Sequence, residues 1–123
     1  MSYVAQSIGQ FNSWTPTFTG FSADPTGTHR YSLNGKMCTV NIHETVNASN
    51  ATTFTFTLPY NSKNTIFIGG LNYVDNGAQS ATYGKIELTA GSNIVIVRTS
   101  GSSGAWTSSG NKAIRASFTY EIE

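Results

Sequence analysis

Aromatic residues in polar settings are where this chain could do chemistry. Trp106 stands in residues 99–110, a stretch otherwise made of Ser, Gly, Thr and Ala. An indole there can lay its face on the apolar face of a sugar ring while nearby hydroxyls and amides bond the sugar edge. Tyr73 with Asp75 and Asn76, and Tyr60 with Asn61, offer the same combination of a ring and hydrogen-bonding groups. Together these residues form the candidate ligand-binding set. For Trp106 the competing expectation is structural, a ring folded back as a lid over one end of the fold.

No catalytic machinery is legible. Hydrolysis by paired carboxylates requires two acids held at a defined separation in a cleft. The acids are Asp24, Glu44, Asp75, Glu87, Glu121 and Glu123, and nothing singles out a pair. The two Asp fall in turns, where Asp is favoured for local hydrogen bonding, and the last two Glu close a strand. His29 and His43 flank the Asn34-Gly35 turn, and rough hairpin counting brings them near opposing positions. A zinc-like ion wants three or four protein ligands, and Glu44, the acid beside them, points to the opposite face from His43. The lone Cys38 cannot form an internal disulfide; it shares a strand face with Val40 and Ile42 and reads as a small core hydrophobe. The serines of residues 99–110 have no adjacent base, and no glycine cluster leads into the Lys-Ser/Thr pair of a phosphate loop. The expectation is a protein that is not an enzyme and holds neither metal nor cofactor.

Charge narrows the partners. Charged residues are 11% of the chain, seven Lys and Arg against six Asp and Glu. The cations are scattered, without the dense basic patch that binds nucleic-acid backbones or anionic membranes. Abundant Thr, Ser, Asn and Gly give instead a polar, nearly neutral surface that suits neutral ligands such as sugars. No apolar stretch approaches a membrane span, and the N-terminus lacks the basic and apolar regions of a secretion signal, so a soluble, cytoplasmically made protein without membrane insertion is expected.

The elements that must position these residues are strands. Period-2 alternation bounded by turn residues recurs from about Thr17 to the C-terminus, with no sustained helical stripe. Pro16 lacks a ladder donor and marks the start of a strand over 17–19. Residues 28–33 and 36–45 form a hairpin about Asn34-Gly35, a pair that tolerates positive φ. Strict alternation in 53–58 puts Phe54, Phe56 and Leu58 on one face and three Thr on the other. Residues 65–68 run through Gly69-Gly70, a bulge or bend, into 71–74. Asp75-Asn76-Gly77 turns the chain into 81–88, and Ala90-Gly91-Ser92 turns it into 93–98. The last strand, 113–122, alternates Ile114, Ala116, Phe118, Tyr120 and Ile122 with polar residues. This predicts an antiparallel all-β sandwich of jelly-roll type with about eight strands over residues 13–123, and over 1–12 a leader that packs on a neighbouring chain or continues from a longer protein. Residues 66–68 and 94–97 are apolar on both faces, so their outer faces are expected to meet another copy of the chain, the leader or the long loop.

The run Trp14-Thr15-Pro16-Thr17-Phe18-Thr19-Gly20-Phe21-Ser22, then Pro25, Arg30-Tyr31 and Asn34-Gly35-Lys36-Met37-Cys38-Thr39-Val40-Asn41-Ile42, resembles the opening of C-terminal domains in tailed-bacteriophage tail fibres and tail spikes. The resemblance covers about the first third of the chain and rests on the Trp-x-Pro opening, the Pro/Gly loop, the Tyr-bearing strand and the Gly-Lys hairpin. It implies a homotrimeric sandwich head at the fibre tip of a virion, which binds a host-surface glycan or protein and touches other virion subunits. It also implies that the leader over 1–12 is the link to an upstream shaft. Two alternatives stand beside it: a virion structural protein such as a head fibre or decoration protein, and a carbohydrate-binding module of a secreted enzyme.

Overall fold

The computed structural model describes residues 10–45, 47–49, 51–100 and 105–123. Among them the alternating segments form antiparallel strands and no helix: β1 (Asn12–Ser13), β2 (Phe18–Thr19), β3 (Gly27–Asn34), β4 (Met37–Glu44), β5 (Asn47–Ala48), β6 (Thr55–Thr57), β7 (Ile66–Asp75), β8 (Ala78–Gln79), β9 (Gly84–Leu88), β10 (Ile94–Arg98) and β11 (Asn111–Glu121). They pair in the order β1-β3-β4-β11-β7-β9-β10-β6-β2, with β5 beside β11 and β8 beside β7. The result is one sheet curled into a half-barrel around a single core. The expected leader, 1–12, falls mostly on residues 1–9, outside the described part, and its last residue, Asn12, enters β1.

The β3–β4 hairpin forms, with its turn one residue later than its sequence suggests. Asn34 pairs with Met37, so Gly35 and Lys36 are the two loop residues. Gly35 takes φ +61° and Lys36 has no positive φ, which fits a turn needing glycine only at its first central position. At the β7–β8 hairpin both loop residues are left-handed, Asn76 at φ 51° and Gly77 at φ 78°.

Strand β7 joins the two halves of the sheet. Its first part pairs with β9 and its last part with β11, and the register slips between Gly69 and Leu71. A bulge inverts the alternation, so Ile66 and Ile68 before it, and Leu71 and Tyr73 after it, all turn to the core. Around them Val40, Ile42, Phe56, Val95, Ile114 and Tyr120 are all buried. The cross-strand rows Ile42–Ala116 and Val40–Phe118 show that the alternation read in β11 faces inward as written.

The two ends of the sheet, β1 and β2, are neighbours in sequence, and the strap between them spans the gap of the half-barrel. Trp14 donates its backbone N–H to the His29 carbonyl on β3 (3.1 Å) and its indole N–H to the Thr57 carbonyl beside β2 (2.9 Å). Thr57 N–H donates to the Thr17 carbonyl (3.1 Å), and Thr17 N–H donates to the Thr57 hydroxyl (2.9 Å). Pro16 is buried in the same strap.

Candidate functional site

The expected ligand-binding residues divide between opposite ends of the half-barrel. Tyr73, Asp75, Asn76 and Trp106 gather where β11 begins, since Tyr73 pairs with Ile114 and Asp75 accepts the Thr107 N–H (3.2 Å). Tyr60 and Asn61 lie where β11 ends, the Tyr60 carbonyl accepting the Tyr120 hydroxyl (3.0 Å) and the Asn61 carbonyl accepting the Glu123 N–H (3.3 Å). The two groups are separated by the length of β11 between Ile114 and Tyr120, about 20 Å at the usual rise per residue.

Trp106 is 3% exposed and offers no face to a sugar. Its indole N–H donates to the Val97 carbonyl (2.9 Å), its ring packs on Phe54 and Tyr73, and the Lys112 ammonium sits 5.6 Å from its centroid. This is the lid arrangement. Lys112 is fully buried and donates to the Ser49 hydroxyl (2.6 Å) and the Ala51 carbonyl. Burial pushes its amine below the ordinary lysine range, opposed by the Asp75 carboxylate.

Tyr73 is also buried, but its hydroxyl ends in a chain of hydroxyls. It lies 3.0 Å from the Ser100 hydroxyl and receives the Ser100 N–H (3.3 Å), and Ser100 and Ser80 are each bonded to Thr82. Burial alone would raise the phenol; the bonds from Ser100, Ser80 and Thr82 outweigh it and bring the group down to about 8. Tyr120 is displaced the other way, mainly by burial. Absorbance titration at the tyrosinate band is therefore expected to show one early phase near pH 8, which disappears in Tyr73→Phe. If the early phase survives that substitution, it belongs to another tyrosine.

His29 and His43 do not oppose each other. His43 pairs with Thr28, while His29 pairs with Ile42 and faces inward on the other side of the sheet. Among the described residues no group of three or more His, Cys, Asp and Glu side chains is placed to hold a metal ion. The partner His29 does meet is Glu44, with Nε2 and Oε1 3.6 Å apart, both buried and neither hydrogen-bonded. The other Glu44 oxygen accepts the Ile114 N–H (3.1 Å). Burial raises the Glu44 carboxyl above its ordinary 4.5, against the pull of His29 and the Ile114 amide. The folded chain thus holds a proton that the unfolded chain has released, and stability falls as pH rises from about 4.5 through the raised value. Glu44→Gln is expected to flatten that fall in urea midpoints measured from acidic to neutral pH. An undiminished slope in the variant would place its origin elsewhere.

Beside this pair lies a cleft of about 490 Å³, bounded by the strap at Ser13–Phe18 and by Asp24–Arg30. Trp14, Pro16, Phe18, Pro25 and His29 give it apolar surface, and Trp14 and Phe18 meet the His29 ring at centroid distances of 5.9 and 5.6 Å. Asp24, Arg30 and several hydroxyls contribute polar groups. The walls of this cleft come from one stretch of chain, residues 13–30, folded back so that Ser13 pairs with Arg30, and that folding back is not written in the local alternation. The Trp14-Thr15-Pro16 opening was the one signal available.

The second surface feature is apolar. Register places Phe67, Glu87, Ile96 and Thr55 in one row across β7, β9, β10 and β6, on the face turned away from the core. Phe67 is 67% exposed, Tyr83 65% and Ile94 50%. Arg98 and Glu87 form an ion pair on the same face. The doubly apolar segments thus send Ile66, Ile68, Val95 and Val97 inward and Phe67, Ile94 and Ile96 outward.

No family model, curated protein or solved structure matches this chain.

Proposed function

We propose that this chain is the head of a tailed-phage fibre or spike, a jelly-roll-like sandwich that trimerises and recognises a host-surface ligand, most plainly a glycan. The observation that carries the reading is that Phe67, Ile94 and Ile96 stand on one outward face of the sheet. Apolar side chains this exposed on regular strands stabilise a complex when a second copy covers them, and the Arg98–Glu87 ion pair beside them offsets one charge of each sign. The fibre-domain resemblance of residues 14–42 supplies the biological setting, and the low-charge, hydroxyl-rich surface suits a neutral receptor.

Light scattering coupled to size exclusion tests the reading directly. The mass expected is that of three chains, falling to one chain in Phe67→Asp/Ile94→Asp while the near-ultraviolet spectrum stays native. Trimeric protein is further expected to block phage adsorption to host cells. A monomeric parent protein that blocks nothing would overturn the assignment.

A further inference from the structure

We infer that the cleft between the strap and residues 24–30 is a binding site for a short neutral saccharide. This deepens the host-ligand reading above and rests on it for the biological role, but the site itself lies within one chain and does not depend on trimer formation.

Three observations point to this chemistry. The first is size and lining: about 490 Å³ falls inside the roughly 300–1,000 Å³ usual for small-ligand sites, and the surface combines an indole and prolines with hydroxyls. Trp14 is partly exposed in the cleft, unlike the buried Trp106, and its orientation is fixed by the indole bond to Thr57. An aromatic surface held in place is what the C–H face of a sugar packs against, because the ring gives up no conformational freedom on binding.

The second is charge. Asp24 and Arg30 are the charged side chains lining the cleft, one of each sign, so it carries no net charge. A carboxylate accepts from two adjacent sugar hydroxyls, and a guanidinium donates to a hydroxyl or ring oxygen. An anionic sugar would meet Asp24 as well as Arg30 and gain little. The hydroxyls of Ser13, Thr26 and Thr28 both donate and accept, matching a ligand whose hydroxyls do the same.

The third counts against the main rival, a peptide strand added to the sheet. Such a ligand needs a free edge for its main-chain bonds. On β3 that edge is taken over residues 29–31: His29 accepts from Trp14, and Arg30 and Tyr31 pair with Ser13 and Asn12, which leaves Gly27 and Thr28, too short a run to pair a strand. A ligand here must be recognised by side chains.

The test uses the full chain labelled with ¹⁵N. The indole N–H signals of Trp14 and Trp106 report the cleft and a buried internal reference. Glucose, galactose and N-acetylglucosamine are titrated separately, with N-acetylneuraminic acid as the anionic contrast and a proline-rich peptide as the protein contrast. At least one neutral sugar is expected to shift the Trp14 indole saturably and leave Trp106 unmoved. Asp24→Ala and Arg30→Ala, both at exposed positions, are each expected to weaken that binding about tenfold without lowering the melting temperature. The inference is overturned if no neutral sugar moves Trp14, if the peptide alone does, or if both indoles respond alike. Trimeric, adsorption-blocking protein with a silent Trp14 would sink the cleft and keep the fibre reading. A sugar-responsive monomer that never blocks adsorption would do the reverse.

Discussion

Gly20→Ala is expected to abolish or nearly abolish the folded state, at a cost of at least about 3 kcal/mol. Gly20 sits at φ +108°, a conformation that L side chains rarely adopt, and an added Cβ would lie 2.0 Å from the Thr53 carbonyl oxygen. The obstacle is backbone, so no rotamer change relieves it. The surroundings are also fixed: the Gly20 carbonyl accepts the Ser49 hydroxyl (2.7 Å), which in turn receives the buried Lys112 ammonium. Separating the Gly20 turn from residues 53–54 would disturb that ammonium's partners. Gly35→Ala provides the contrast, because Gly35 at φ +61° has nothing within 4 Å of the new methyl. That substitution is expected to cost about 1 kcal/mol, the conformational term alone. Urea unfolding of the two variants separates the effects, and equal losses would refute the close approach at Gly20.

Trp106→Ala is the second large effect, about 3–5 kcal/mol and a fall in melting temperature of about 10–20 °C. The substitution removes the ring that fills the space between Phe54 and Tyr73, leaves the Val97 carbonyl without its donor, and takes the π face from a buried ammonium. Trp106→Phe keeps most of the packing and loses the indole bond, so about 1–2 kcal/mol is expected. A stable, native Trp106→Ala protein would show that the side chain is not part of the core. Loss of ligand binding in Trp106→Ala would therefore report unfolding and say nothing of a sugar site.

How Trp106 came to be a ligand candidate shows what a single sequence conveys. Alternation in β6 and β11 defined their inner faces because side-chain period along a strand is local. The Gly69-Gly70 bulge and the Asn76-Gly77 turn were legible for the same reason, each being a backbone requirement written in adjacent residues. Trp106 was not, since whether a loop residue turns outward or caps the barrel depends on Phe54, Val97 and Lys112, all remote or on other strands. The His29–Glu44 pair escaped for a subtler reason. Hairpin counting about Asn34-Gly35 set the turn one residue early, which displaces each partner by two positions and leaves the faces unchanged, so Glu44 already stood on the His29 face. His29 was matched instead with His43, which pairs with Thr28 on the other face. The sandwich expectation captured the strands and their antiparallel sense but not the continuity through β7, which follows from a strand paired to different neighbours along its length.

The strap at Asn12–Thr19 has a consequence for solubility. It pairs with β3 on one side and β6 on the other, so the same few residues blunt both free edges of the sheet. An edge strand without such cover is a template for joining to another chain. Displacing this strap would expose two such templates at once, at the two ends of one curved sheet, and that geometry propagates into open-ended assembly instead of stopping at a pair. Trp14, which bonds to both edges, thus serves as a guard against polymerisation as well as a brace for the monomer.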